Sequence, residues 1–463
     1  MNSTPQPACA QPAGPFAMAW GLHRSSAARP QAVGAALRAW LAAAVAPGPL
    51  AAEQGRHAQA LVALAGRTEE ALSVDVALPF CASHCLCCER QVHVAQPAAV
   101  LDAYVADLVE EMAGLARVLG PGREVLRLHL GGGTANELSE AQLSQVVDGI
   151  ERHCRLPAEA LLSADCDPRR IGWVQLHALR GLGFRELTFG VLDLDAAVQA
   201  AIGRSHTPQL LGDVCDMARE SGIGCIELRL MVGLPRQSAE GWRRTLRQVL
   251  ALAPDRISIG RYHHQPALVA GQRDIDEGEL PDAAQTRALV CVTAEVLGEA
   301  GYRWLGADHF VLESDELAQA AEAGRLRFGL GGYSALPPLP QLGLGVGAVS
   351  DIDGRLFWNE AALALWHERV RAGESPVVHA AVPDAAALKR RAAVEQLLCK
   401  LHCALPADMA DAARWAPLVA EGAVELGEQT LKVTETGRAV LAEVCARFAA
   451  DARPLKGSSA SRR

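Results

Sequence analysis

Aromatic residues are scarce in this chain. Eight Trp, eight Phe and four Tyr make up 4% of 463 residues, so a core has to be filled mainly by Leu, Val and Ala. Long apolar runs are missing too. The best candidate, Ala35 to Ala46, is interrupted by Arg38 and stopped by Pro47 and Pro49, too short to cross a bilayer. Met1 to Phe16 carry no basic stretch of the kind that opens a signal peptide. A cytoplasmic protein with no membrane partner is expected. Positive charge is not in excess: 44 Lys and Arg face 53 Asp and Glu, a net −9. Such a balance gives no electrostatic reason for a nucleic-acid partner. An anionic substrate would need a local basic pocket. With 50% hydrophobic and 21% charged residues, the chain is globular rather than disordered, and its length suggests two or three domains.

What the chain does have is cysteine, concentrated in one place. There are 13, an odd count, and four of them lie between Cys81 and Cys88. That pattern suits metal binding in a reducing compartment better than a disulfide framework. The run reads Pro79-Phe80-Cys81-Ala82-Ser83-His84-Cys85-Leu86-Cys87-Cys88. Cys81, Cys85 and Cys88 have C-x3-C-x2-C spacing. Three thiolates on one short loop can hold three irons of a [4Fe–4S] cube and leave the fourth iron open. Zinc is the bland alternative, using three of these cysteines plus Cys87 or His84. Four ligands within eight residues would strain a tetrahedral site, and structural zinc usually takes two separated pairs. Simple core cysteines would not crowd in this way.

The surrounding pattern alternates strand and helix. Residues 1–71 read as an arm with short helices, near Val33 to Leu41 and near Leu61 to Leu64. From 72 to 300, β-rich runs occur at 73–78, 125–130, 161–165, 186–191, 225–231 and 256–259, with helices between them. One helix repeats apolar Leu101, Tyr104, Val105, Leu108, Met112 and Leu115 at three- and four-residue spacing. Another opens with a capping box at Ser139 and Gln142. A third ends at Gly181 and Gly183. Six such units predict an α/β fold, a parallel sheet curved into a partial or full (β/α) barrel with chemistry at the strand ends. Residues 301–383 are expected to extend and cover the barrel. Residues 384–450 read as a mostly helical, winged-helix-like domain with a hairpin at 418–434, and 451–463 as a disordered tail.

The cysteine spacing directly after the first strand resembles that of the radical SAM superfamily. The second strand leads into Leu128-His129-Leu130-Gly131-Gly132-Gly133-Thr134, three glycines that would leave backbone amides exposed to a ligand. The resemblance implies a [4Fe–4S] cluster on Cys81, Cys85 and Cys88, and S-adenosylmethionine contacted at its amino end by Gly132, Gly133 and Thr134. From about Ser73 to Ser350 the chain is more narrowly similar to the oxygen-independent coproporphyrinogen III oxidases. The matching pieces include Asp167-Pro168-Arg169, Gly190-Val191 with Asp193, Arg204, Gly233-Leu234-Pro235-Arg236-Gln237, Asp308-His309-Phe310 and Gly343-Leu344-Gly345-Val346. By that resemblance Asp165 stands where the family has a Glu meeting the adenosyl moiety, and Arg204 helps hold the cofactor's carboxylate. Arg261, His263 and His264 are the most basic stretch near a strand end and a candidate seat for substrate propionates.

Departures are equally visible. The family's Tyr-x-His-Ile-Pro-Phe has become Asp75-Val76-Ala77-Leu78-Pro79-Phe80. Leu192 replaces a Gln, Arg229 an acidic residue that binds the cofactor ribose, and Val232 a Tyr. Glu89-Arg90 stands where a Gly-x-Cys extension is usual, and Cys87 fills an aromatic position. The resemblance implies a monomeric oxidoreductase that takes electrons from a donor such as a flavodoxin or ferredoxin. It would decarboxylate the propionates of coproporphyrinogen III, in heme biosynthesis. A divergent radical SAM enzyme with another substrate, or a heme-binding chaperone-like protein, is the alternative.

Overall fold

The computed structural model describes residues 49–90, 92–267 and 269–449. The expected helix near Val33 to Leu41 and the tail 451–463 lie outside the described residues. The first described helix, α1 (Leu50–Ala65), buries Leu61 and Leu64 while Val62 faces outward.

Six strands follow in the expected places: β1 (Leu72–Leu78), β2 (Arg123–Gly132), β3 (Leu161–Cys166), β4 (Glu186–Leu192), β5 (Cys225–Val232) and β6 (Arg256–Arg261). Each pairs in parallel with the next, in sequence order. Parallel neighbours require crossover helices. These are α2 (Ala98–Leu119), α3 (Glu140–Glu151), α4 (Trp173–Gly181), α5 (Ala196–Ala201) with α6 (Pro208–Glu220), and α7 (Ala239–Ala251). The Ser139/Gln142 capping box opens α3, and Gly183 takes φ +96° just beyond α4.

Alternation, strict in β4 and β5, separates two faces. In β5, Ile226, Leu228, Leu230 and Val232 are buried, whereas Cys225, Glu227, Arg229 and Met231 are partly open. The buried set belongs to the main core together with helix residues such as Leu176, Leu211 and Trp242. The other set lines a concave face on which His129, Asp165, Glu227 and Arg229 lie.

The sheet does not close. Beyond β6 come β8 (His309–Leu312) and β7 (Tyr302–Leu305), both antiparallel. Beyond β1 lie β9 (Gln341–Leu344), parallel to it, and then antiparallel β10 (Val349–Ile352), β11 (Arg355–Asn359) and β12 (Val377–Ala381). The outermost strands β7 and β12 do not pair. The fold is an open, partial β/α barrel, and 301–383 extends the same sheet at both edges. After α8 (Leu363–Arg371) and α9 (Ala385–Lys400) the chain forms a three-stranded sheet from His402–Ala404, Thr430–Val433 and Val424–Leu426. The expected hairpin is shorter than the sequence suggested, because helix Ala412–Ala420 takes up Leu418 to Ala420.

Candidate active site at the strand ends

The cysteine loop leaves the carboxyl end of β1 and is held at several points. Leu86 donates its amide to the Ile202 carbonyl at 3.0 Å, and Cys88 to the Cys85 carbonyl at 2.9 Å. Ala95 donates to the Cys81 carbonyl at 3.0 Å. A side-chain brace comes from the Asp167-Pro168-Arg169 segment after β3. Arg169 clasps Asp167 at 2.6 Å and donates to Ser83 Oγ at 3.0 Å. Asn136 fixes the Asp167 backbone from both sides, at 2.8 and 3.1 Å. Sequence reading noticed this segment without giving it a role.

Cys81, Cys85 and Cys88 are partly exposed, and Cys87 is 1% exposed. Cys87 packs in an apolar cluster with Val198, Ile202, Leu234, Tyr262 and Ile275. Burial, then the neighbouring thiols Cys88 and Cys85, push the Cys81 thiol up to about 12; burial also pushes up Cys88 and, further, Cys87. Cationic groups oppose this. Arg204, 8% exposed, donates through Nη1 to Cys85 Sγ at 3.2 Å and through Nη2 to the Gly190 carbonyl. Arg204 was expected to hold a cofactor carboxylate; here it reaches a sulfur.

Among the described residues no three His, Cys, Asp or Glu side chains are grouped tightly enough to share one metal ion. Thiolates on different corners of a cube stand farther apart, as the spread of Cys81, Cys85 and Cys88 along the loop allows.

The Gly loop meets the root of the cysteine loop. Gly133 donates its amide to the Leu78 carbonyl at 2.6 Å and Thr134 to the Phe80 carbonyl at 3.0 Å. These amides were expected to be open to a ligand and are not. The glycines serve close approach: a Cβ on Gly133 would lie 2.2 Å from the Phe80 oxygen, and Gly132 has φ +99°. Thr134 Oγ1 is buried with no partner. An orphaned hydroxyl on a residue whose amide is bonded to Phe80, the neighbour of Cys81, suits a polar cofactor group.

Asp165 and Arg229, flagged separately in the sequence, are partners. Arg229 holds Asp165 with two bonds of 3.2 and 3.3 Å across β4. Arg90 adds a third at 3.4 Å and also donates to the Gly132 carbonyl at 2.8 Å. Burial alone would raise the Asp165 carboxyl, but Arg229, His129 and Arg90 outweigh it and hold it well below the carboxylate range. The acceptor expected to face an adenosyl group is thus already bound. His129, 4.0 Å from Asp165, shares its Nδ1 with Ser163 Oγ at 2.9 Å.

Two of the three candidate propionate-seat residues, Arg261 and His264, are engaged by other groups of the protein. Arg261 turns away to the Ala439 carbonyl in the C-terminal module. His264 meets Glu277 at 3.2 Å and the Tyr262 hydroxyl at 2.7 Å. His309 pairs with Asp308 at 2.8 Å; burial lowers it, but Asp308 prevails and its pKa is raised.

Two cavities flank the sheet. One of about 400 Å³ lies at the amino ends of the strands, around Glu186, Asp255, Arg256 and Asp315, where Arg256 is tied to Glu186 and Asp315 at 3.0 and 2.7 Å. The other, about 1040 Å³, runs beside the cysteine loop and is lined by His84, Arg90, His93, Val269, Leu363 and His367 among others. Only the second adjoins the candidate chemistry.

Residues 76–249 match the radical SAM superfamily, which sets the class of this enzyme and its cofactors, a [4Fe–4S] cluster and S-adenosylmethionine. The chain is 32% identical to the oxygen-independent coproporphyrinogen III oxidase of Pseudomonas aeruginosa, covering 81% of this chain and 85% of that one. It is 31% identical to the same-named protein of Escherichia coli, covering 84% and 87%. The solved structure of the Escherichia coli coproporphyrinogen III oxidase, described as a radical SAM enzyme, superposes with a TM-score of 0.79 at 31% identity, over 84% of this chain and 93% of that one. This chain belongs to the family of oxygen-independent coproporphyrinogen III oxidases. Among the described residues no helix is long and apolar enough to cross a membrane.

Proposed function

We propose that the protein carries out the oxygen-independent oxidative decarboxylation of coproporphyrinogen III. Two propionates become vinyl groups, each losing CO₂, a hydrogen atom and an electron. The observation that carries this reading is the loop bearing Cys81, Cys85 and Cys88 beside the orphaned Thr134 hydroxyl, in a chain similar to such oxidases over four fifths of its length. Once bound, the cluster and S-adenosylmethionine supply a 5′-deoxyadenosyl radical for hydrogen abstraction.

The chain's own residues bind and orient. Cys81, Cys85 and Cys88 would hold the cluster through three of its irons. Gly132 and Gly133 bring the strand end against the cysteine loop, and Thr134 Oγ1 offers a hydrogen bond to the amino end of S-adenosylmethionine. Arg204 offsets thiolate charge at Cys85, and Asp165 closes the polar floor. Cys87 stays in its apolar pocket. A flavodoxin or ferredoxin as donor, a monomeric state and a cytoplasmic location complete the reading.

The Asp165–Arg229 pair favours a second reading, a radical SAM enzyme with another substrate, because it fills positions through which the family meets its cofactor. Anaerobic reconstitution with iron and sulfide, followed by S-adenosylmethionine, reductant and coproporphyrinogen III, separates the two. Protoporphyrin with matching 5′-deoxyadenosine by mass spectrometry, both abolished in Cys85→Ala, is the expected result. 5′-Deoxyadenosine without decarboxylated porphyrin would transfer the assignment to the second reading.

A further inference from the structure

Arg204 reaches Cys85 from a segment that one buried side chain holds in shape. Gln199, on α5, is 5% exposed. Its Nε2 donates to the Asp193 carbonyl and to the His206 carbonyl, both at 3.0 Å. Its Oε1 accepts from the His206 amide at 3.0 Å, and its own backbone carbonyl accepts from the Arg204 amide at 2.9 Å. A primary amide has two N–H donors, and Gln199 spends both on backbone. It grips both polar backbone groups of a residue two positions past Arg204 and ties them, through Asp193, to the end of β4.

The gripped segment underlies the cysteine loop. The Ile202 carbonyl accepts from the Leu86 amide at 3.0 Å. Gly203 has φ +66°, and a Cβ there would lie 3.4 Å from Leu86 Cγ. Arg204 Nη1 donates to Cys85 Sγ at 3.2 Å. The other contacts of this guanidinium are the Gly190 carbonyl and Asp167, 3.6 Å from Nη2, while its Nε is buried without a partner. With so few side-chain anchors, the backbone of the segment decides where the guanidinium sits. The His206 ring brings no charge at neutral pH, because burial, then Arg204 and Arg169, push it down to about 4. Arg169 also acts on Cys85, but from the segment after β3, where it is tied to Asp167 and Ser83.

We propose that Gln199 is a positioning residue whose clamp on His206 sets Arg204 against Cys85, and through it the reduction potential of the cluster. The inference rests on the part of the functional reading that puts a [4Fe–4S] cluster on Cys81, Cys85 and Cys88, and is independent of the substrate. Potentials of such clusters follow net charge and hydrogen bonds to the sulfurs. Reduction adds one negative charge, so a cation donating to a ligand sulfur favours the reduced state. Releasing the segment takes the donor off the sulfur and lowers the potential.

The test uses protein reconstituted anaerobically with iron and sulfide, before any S-adenosylmethionine is added. The midpoint potential is read by titration with dithionite and mediators, following the electron paramagnetic resonance signal of the reduced cluster. Gln199→Met keeps the length and loses every side-chain hydrogen bond. It should lower the reduced-to-oxidised ratio at a fixed potential about tenfold, a shift of about 59 mV for one electron. Arg204→Gln should lower it at least as far. Adding Gln199→Met to Arg204→Gln should lower it no further, the non-additivity of two residues that act as one. Gln199→Glu keeps an acceptor for the His206 amide and should give a smaller shift of the same sign; it carries the test if the Met protein does not fold. An unshifted potential in a fully loaded Gln199 variant overturns the inference. So does an equal shift with and without Arg204, which would put the effect in the loop at Leu86. If wild type takes up no cluster, the cluster reading falls and the clamp's role with it.

Discussion

Cys87 and Cys88 are adjacent in sequence and differ in surroundings. Cys88 lies on the partly open side of the loop, and Cys87 is packed among Val198, Ile202 and Leu234. Identical chemistry is sorted by burial. A Cys87→Ala protein should therefore keep full iron after reconstitution and lose about 1–3 kcal/mol of stability, read from iron analysis and thermal unfolding on one sample. Loss of iron in Cys87→Ala would make it a ligand. The C-x3-C-x2-C spacing was enough to nominate Cys81, Cys85 and Cys88. Arg204 and Arg169 entered only through the family resemblance, and their reach to the loop from 119 and 86 residues away left no local pattern. Arg229 was visible only as a departure. Its partner lies two strands away, across β4, so the pair exists only once the sheet is in register.

Helix α2 shows how a long element is fixed against the sheet. Its Tyr104 donates to the Ala77 carbonyl at 2.6 Å and accepts from the Val346 amide at 3.1 Å. Glu111, two turns on, accepts from the Gly345 amide at 2.8 Å and from Asn359 at 2.7 Å. The apolar repeat from Leu101 to Leu115 foretold the helix and its buried face. It did not foretell a buried carboxyl on that face. Burial pushes Glu111 up to about 8, ahead of the opposing pull of Gly345 and Asn359. A carboxyl raised in the folded state contributes stability that is fully present below its unfolded value, near 4.5, and is lost as pH rises through about 8. The melting temperature should fall across that window. In Glu111→Gln the fall should flatten, at the cost of a constant offset from one mismatched hydrogen bond. An unchanged slope in Glu111→Gln would mean that other groups set it. The edge strands β7 to β12 were less legible than β1 to β6. They are only four or five residues long and are set by tertiary pairing, too short for a periodicity to announce them.

At the scale of the molecule, the sequence suggested a boundary near 384, but the packing does not respect it. Leu305, Val311, Phe328 and Tyr333 share one core with Leu397, Leu398, Trp415 and Phe448. Two arginines tie the parts further: Arg261 reaches the Ala439 carbonyl, and Arg438 reaches the Trp304 carbonyl while lying 4.6 Å over its ring. A chain ending at 383 strips one side from that core and should aggregate or unfold, whereas an autonomous 384–449 unit would leave a folded, monodisperse remainder by gel filtration and circular dichroism. The braced cysteine loop carries a different consequence, one of entropy. Its amide bonds to Ile202 and its arginine ties to Ser83 and Cys85 are made by protein alone. These ties hold the loop in place independently of any iron–thiolate bond, so the share of its conformational entropy that they offset would not fall on the cluster.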